Sequence, residues 1–518
     1  MSSGRKTVNT VILVICLTIA SKFFGFFREV FIAERFGATP ATDAYFVALK
    51  ITAIVFMSVG SAITTTMIPI VVKYLSRGEK DKAFAFANKI FTILMAGALV
   101  IVSLGIALSP YYARYIAIGF EGKQLSLTVS LIRIMFPILA CVFITYIFVS
   151  ILQSFGQFSI TSIISIPYNF VLIIYLLLFS DKYGIMGLGV VTLIGWIAQF
   201  LIQLPYLLKK DFKIKLNFDF KDKDVKSFFK LIWPILLATA VYNVNTLVDS
   251  SLASTLSKGK VSALNYAYII YTAISTTTIY GISTVLFPRF AENISLKDFN
   301  NLKKEITSTI KGLIYILLPM TVGLIILRTP IIEVAFRRGA FDERAVEMTR
   351  IALAFYSVGM IGFGLQEVFN KGFFALGDTK TPMKMGIFSV IINIVLNFML
   401  IRVMDLGGLA LATSIATICN GVLLFTALTR KIGKFDSTGI MKQFIKVAVS
   451  ASIMAFVVIY SYKGLETIID AGSLINKGII LAGSVLFGIV SYAALTMLFK
   501  VEETKYVIDN YIINLCKR

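Results

Sequence analysis

Eight polar side chains stand where long apolar stretches should exclude them, and they form two chemical sets. The first is Lys22, Arg28, Asp43 and Lys50, within the first fifty residues. Ionisable groups at membrane depth are costly, and by default they mark a ligand or ion path. Three of these four are basic. An arginine fork matches phosphate oxygens, while lysine acts as a point charge. The set therefore reads as the wall of an anion-attracting cavity, with these four as candidate substrate-binding residues. On a helix Lys22 and Arg28 lie about 600° apart in rotation, hence about 120° from each other, so both can border one cavity. Two other readings stay open: a lone lysine near a span end also snorkels to the headgroups, and Arg28 with Glu29 or Asp43 also makes a structural ion pair.

The second set is Asp249, Asn393, Asn397 and Thr413. Asp249 ends the run Asn243-Val244-Asn245-Thr246-Leu247-Val248-Asp249. Asn393 and Asn397 share a helix face, and Thr413 follows Gly407-Gly408 by about one turn. A carboxylate among amide, hydroxyl and carbonyl oxygens is a hard-cation ligand set. It suits sodium at Asp249, Asn393 and Thr413, and it suits a proton equally. A polar packing cluster between helices accounts for the same residues. Glu367 is assigned no role, since Lys371 stands at i+4. The charged segment Arg337-Arg338-Gly339-Ala340-Phe341-Asp342-Glu343 reads by itself as a solvated turn.

What is missing narrows the chemistry further. There is no histidine, which removes imidazole acid–base catalysis and histidine-ligated metals. Cys16, Cys141, Cys419 and Cys516 are scattered and read as small apolar fillers rather than zinc ligands or a disulfide framework. No catalytic residue is assigned and no enzyme activity is expected. No cofactor is expected beyond a coupling sodium ion or proton.

The elements that must position these groups follow from composition. Of 518 residues, 57% are apolar and 15% charged, against about 25% charged in soluble domains. At about 20 residues per span, the chain is an all-α polytopic membrane protein with about 14 transmembrane helices. Their centres fall near Cys16, Val59, Leu99, Ala140, Ile173, Gly195, Ala240, Ser275, Leu317, Gly362, Asn393, Ile418, Phe456 and Gly488. The charged residues after Val8–Ala20 make the first run an uncleaved span rather than a signal peptide. With the N-terminus in the cytoplasm, lysine and arginine favour that side by about two to one, so both termini are expected there. The net charge of +22 then reflects topology and anionic lipid, with no nucleic-acid partner. Residues 501–518 suit a short amphipathic surface helix.

The chain also repeats itself weakly, at an offset of about 220 residues. Thr66-Met67-Ile68-Pro69 matches Val285-Leu286-Phe287-Pro288, Gly156-Gln157-Phe158 matches Gly377-Asp378-Thr379, and Met186-Gly187-Leu188-Gly189 matches Gly407-Gly408-Leu409-Ala410; Asn169 corresponds to Asn393. This predicts two pseudo-symmetric six-helix lobes, 1–216 and 222–433, two further spans over 440–500, and the tail 501–518. A parallel repeat of this kind commonly exposes a substrate alternately to the two membrane faces.

Four segments are similar to the MurJ (MviN) family of lipid II flippases, in the multidrug/oligosaccharidyl-lipid/polysaccharide exporter superfamily. They are Ser21-Lys22-Phe23-Phe24-Gly25-Phe26-Phe27-Arg28-Glu29, Ala41-Thr42-Asp43-Ala44-Tyr45-Phe46, Arg338-Gly339-Ala340-Phe341, and Phe374-Ala375-Leu376-Gly377-Asp378-Thr379-Lys380-Thr381-Pro382. The resemblance runs over about residues 8–432. It implies a flippase for undecaprenyl-pyrophosphate-linked peptidoglycan precursor in the bacterial cytoplasmic membrane, working by alternating access as a monomer, with the last two spans adding a groove for the prenyl tail. It also implies that Arg28 matches a cavity cation, that Lys22 replaces an arginine, that Asp43 matches a family acid, and that Asp249, Asn393 and Thr413 match a sodium site in which Asn397 replaces an acid. Two family arginines are absent, one in Phe56-Met57-Ser58-Val59-Gly60-Ser61 and one at Ile269. A paralogue for another polyprenyl-linked glycan is therefore the alternative, with a cation-coupled drug exporter behind it. The three basic groups within spans (Lys22, Lys50 and Arg133) against two acids, Asp249 and Glu367, disfavour the exporter. A membrane glycosyltransferase would need a positioned carboxylate such as Asp342 or Glu343, and no partner for either is evident.

Overall fold

The computed structural model describes residues 3–507, with no strand among them. The stretch 508–518 of the expected surface helix, with Cys516, lies outside the described residues. Two compact units emerge: Met1–Ser262 with Gly339–Phe341, and Ala263–Arg338 with Asp342–Arg518.

The first unit holds α1 (Ser3–Phe36), α2 (Pro40–Leu49), a π-helical turn (Lys50–Ile54) that leads into α3 (Val55–Ser76), α4 (Lys80–Ile116), α5 (Gly122–Met135), α6 (Ile138–Ser154), α7 (Phe158–Ser162), α8 (Ser165–Leu178), α9 (Ser180–Leu201), α10 (Leu204–Leu208) and α11 (Lys223–Ser254). Within it α3 packs on α6 and α11, α8 forms a hairpin with α9, and α1 lies against α8. The chain between α10 and α11 is strapped along α4. Asn88 donates to the Lys213 carbonyl at 3.0 Å and accepts from the Lys215 amide at 3.1 Å. Lys89 reaches Asp219 at 2.8 Å and Asp222 at 2.6 Å.

The second unit takes nearly all of α12 (Lys260–Ser295), then α13 (Phe299–Ile326), α14 (Arg328–Phe336), α15 (Glu343–Val358), α16 (Met360–Ala375), α17 (Lys380–Met404), α18 (Leu406–Ile432), α19 (Ser437–Ile468), α20 (Leu474–Leu498) and α21 (Glu502–Val507). Here α17 pairs with α18, α19 with α20, and α13 packs on α19. The faces turned away from these contacts are apolar, with Leu99 71% exposed and Val403 83%. Such surfaces fit lipid, since water-facing proteins rarely expose large contiguous apolar patches.

Every expected span centre falls in a helix, from Cys16 in α1 to Gly488 in α20. Among the described residues ten spans qualify by length and apolarity, or eleven if α15 and α16, bent by 41°, form one. The long helices outside that number are α1, α11 and α12. These three hold the expected centres Cys16, Ala240 and Ser275.

The repeat is written into the backbone. Positive-φ residues interrupt the helices in six pairs: Gly37 with Gly259, Gly78 with Lys297, Gly122 with Gly339, Gly156 with Gly377, Gly184 with Asp405, and Asp211 with Gly433. All pairs are separated by about 220 residues, the offset of the sequence repeat. The fifth pair shares its full geometry, φ 55° and ψ −153° at Gly184 against φ 54° and ψ −133° at Asp405.

Candidate functional site

Arg28 lies on the buried face of α1, its side chain 18% exposed. A charge there needs a counter-charge and a filled hydrogen-bond shell. Glu29 forms the ion pair, Asn169 on α8 accepts from the guanidinium at 3.0 Å, and the Tyr168 ring lies 5.2 Å beneath it. Asn169 in turn donates to the Ser21 carbonyl at 3.4 Å. Nearby, the Tyr45 hydroxyl meets that of Thr192 at 3.1 Å. The second Glu29 oxygen is buried and has no hydrogen-bond partner among the described residues. Lys22, on the same helix, is exposed.

Asp43 is fully buried and differently employed. Its carboxylate accepts from the Gly259 amide at 2.6 Å, the Ser262 amide at 2.8 Å and the Ser262 hydroxyl at 2.6 Å. The first amides of a helix lack partners inside the helix, and Asp43 supplies them for the start of α12 from α2. Asp43, one of the four candidate substrate-binding residues, thus latches the start of α12 to α2, and no local signal joins positions so far apart in the chain.

Lys50 opens the π-helical turn, a feature frequent at functional sites. The turn packs on α11, bringing Lys50 within electrostatic reach of Asp249. One turn further, Ser58 donates to the Asn243 side chain at 3.2 Å. A polar seam thus runs between the α2–α3 segment and α11, joining one residue of each sequence set. In the second unit Asn397 donates to Asn393 at 2.8 Å, and Asn393 to the Thr413 hydroxyl at 3.3 Å. The amides and hydroxyl are therefore gathered, as expected for either a cation site or a polar packing cluster. Among the described residues no group of three His, Cys, Asp or Glu side chains has metal-binding geometry.

The turn after α14 is more than solvated chain. Phe341 is buried, and the Ala340 amide donates to the Glu34 carbonyl at 2.7 Å. A Cβ on Gly339 would stand 2.3 Å from that carbonyl oxygen, and one on Gly37 2.2 Å from the Ala340 carbonyl oxygen. Both glycines also have positive φ, which glycine alone adopts without cost. The Arg-Gly-Ala-Phe segment is thus a docking turn on the end of α1. Its two glycines were the readable signal.

A family model described as "Lipid II flippase MurJ" matches residues 32–477. The chain belongs to the MurJ family. A probable lipid II flippase MurJ of Rickettsia prowazekii (strain Madrid E) is 29% identical over 489 residues, 92% of this chain and 96% of that one. A solved structure titled lipid II flippase MurJ in an inward closed conformation superposes with a TM-score of 0.79 at 26% identity, covering 94% of this chain and 98% of its own. An inward-facing multidrug resistance MATE transporter of the MOP superfamily shares the fold at TM-score 0.69 and 13% identity, over 83% of this chain and 99% of that one. The protein is a multi-pass membrane protein, and the MurJ relatives are transporters whose named substrate is a membrane lipid. Against the MurJ pattern, the stretch without its arginine packs closely at Phe56 and Gly60. Phe56 stacks edge-on against Phe136 at 5.3 Å, and a Cβ on Gly60 would meet the Tyr146 ring at 2.2 Å.

Proposed function

We propose that this protein translocates lipid II, the undecaprenyl-pyrophosphate-linked peptidoglycan precursor, across the bacterial cytoplasmic membrane by alternating access. The supporting observation is the near-complete match to a solved lipid II flippase. Both termini face the cytoplasm, the monomer is the working unit, and nucleic acid plays no part. No covalent bond is made or broken, so the protein is a transporter and not an enzyme.

In this reading Lys22, Arg28 and Lys50 meet the pyrophosphate. Arg28 already spends its fork on Glu29 and Asn169, so loading exchanges those acceptors for phosphate oxygens. Lys50 makes a similar exchange, leaving the vicinity of Asp249. Asp43 contributes by holding the start of α12. Asp249, Asn393, Asn397 and Thr413 supply the oxygens for a coupling sodium ion or proton, carried as cargo.

The test is rescue of a bacterium depleted of its own lipid II flippase, with lipid II accessible at the outer surface as readout. Wild type should rescue, and correctly inserted Arg28→Ala should not. Transport by that variant at the wild-type rate would remove Arg28 from the substrate path. Failure of inserted wild type, with export of a different polyprenyl-linked glycan, would move the assignment to a paralogous flippase. Drug resistance with an intact wall would move it to an exporter.

A further inference from the structure

A cavity of about 890 Å³ opens in the second unit, lined by none of the candidate site residues. Its walls are the first turns of α13, the chain between α18 and α19, and α21, and four lysines line it: Lys303, Lys304, Lys311 and Lys434. The three acids at its edge are already engaged. Glu502 pairs with Lys311 at 3.3 Å. Asp436 accepts from the Gly439 amide at 2.9 Å, capping α19. Glu503 bonds Gln443, and burial raises its carboxyl above the usual carboxylate range.

Lys303, Lys304 and Lys434 thus carry charge with no acid at ion-pair distance among the described residues. The Lys303 ammonium lies beside Gly433, where an added Cβ would be 3.6 Å away. The 28-residue α13 begins at the same cavity, its first turn capped by Asp298, which accepts from the Asn301 amide at 2.9 Å. Asn300, Thr307 and Ser308 offer neutral donors. Fixed positive charge, uncharged donors and a concave wall together select a phosphate.

All three wall segments follow even-numbered spans, so they lie on the side that carries the lysine and arginine excess. Basic pockets at that surface take anionic lipid headgroups. We propose that this cavity is a headgroup site for a phosphate-bearing anionic lipid of the cytoplasmic leaflet, with Lys303, Lys304 and Lys434 as its phosphate ligands. The inference rests on the proposed membrane orientation and not on what the protein transports.

The test is lysine footprinting with an amine-reactive reagent, read by mass spectrometry, on the full chain in vesicles. Replacing part of the phosphatidylcholine with phosphatidylglycerol should slow labelling of Lys303, Lys304 and Lys434 by more than the roughly fivefold expected of any basic group at an anionic surface. Lys384, exposed on the same side but outside the cavity, should slow less. K303Q/K304Q/K434Q should retain fewer phosphatidylglycerol molecules in native mass spectra at an unchanged melting temperature, and the arginine versions should restore them. Equal slowing at Lys384 would reduce the effect to surface potential and overturn the proposal. Protection by inorganic phosphate alone, in pure phosphatidylcholine, would leave a phosphate site but overturn the lipid as its source. No protection from either would overturn both.

Discussion

The two copies of the repeat share a backbone plan and bury opposite kinds of polar group. Six pairs of positive-φ breaks set the same helix boundaries in each. In the first copy the buried group is charged: Arg28 and Glu29, with Asn169 and Tyr168 around them. In the second it is a neutral chain of Asn397, Asn393 and Thr413. A buried charge requires a partner held in place, whereas an amide is satisfied by hydrogen bonds from either side. The breaks fix where helices start, and the residues between them decide whether a lobe buries an ion pair or a neutral polar chain. Asp249 crosses this division. By sequence it belongs to the second copy, yet it packs in the first unit, near Lys50.

The charged side of the comparison should break hardest. Arg28→Ala strands Glu29 in the interior, and removing one partner of a buried pair costs about 3–5 kcal/mol. Thermal unfolding of the purified protein should report that loss. Arg28→Ala with Glu29→Ala should regain much of the stability and none of the transport, which separates structural pairing from substrate contact. Recovery of transport by the double variant would make Arg28 a purely structural residue.

Asp43→Asn ranks next. The amide oxygen still accepts, but the second carboxylate oxygen becomes a donor facing the Gly259 amide. Losing a hydrogen bond to a charged acceptor costs about 1.5–3 kcal/mol. Hydrogen exchange at Gly259 and Ser262 should quicken, while that at Asn169 stays unchanged. Protection of both amides at the wild-type level would rule out the latch.

Asn397→Asp would convert the neutral cluster into a charged one and so test whether it is a cation site. With sodium at about 100 times its dissociation constant, binding adds about 2.7 kcal/mol to stability. The variant should therefore gain thermal stability on exchanging potassium for sodium, by more than wild type gains. Identical behaviour in the two salts would leave a polar packing cluster.

Much of this was legible in the sequence, and the remainder was not for physical reasons. Helix centres follow from apolar runs, and glycines mark breaks at Gly37, Gly156 and Gly377. Lys297, Asp211 and Asp405 adopt the same conformation without glycine, so only the repeat could have flagged them. Asn169 was visible as the match of Asn393, but its bond to Arg28 depends on how α8 packs on α1. The π turn at Lys50 and the use of Asp43 on α12 likewise arise from tertiary packing. No local pattern encodes either.

The smallest expected effect compares two helix starts at equivalent breaks. After Gly156, Gln157 makes no side-chain cap, and α7 lasts five residues. After Gly377, Asp378 accepts from the Lys380 amide at 3.1 Å and the Thr381 amide at 3.0 Å, and α17 runs 25 residues. Lys431, at 2.6 Å, chiefly holds the Asp378 carboxyl below the usual range, with the Thr381 amide adding to it. A carboxyl depressed on folding stabilises above its unfolded pKa of about 3.9 and loses that contribution as pH falls through its folded value. Thr381 amide exchange, corrected for its intrinsic pH dependence, should therefore quicken only at strongly acidic pH. Asp378→Asn should remove the acid dependence, at about 1 kcal/mol or less, since asparagine caps nearly as well as aspartate. Gln157→Asp combined with Lys210→Gln, which removes the lysine that stands at the offset of Lys431 and 5.4 Å over the Phe155 ring, should introduce a cap before α7 that fails near pH 4. Failure of the Thr381 amide at that same pH in wild type would mean that Lys431 does not act on Asp378, and the contrast between the two starts would rest on cap geometry alone.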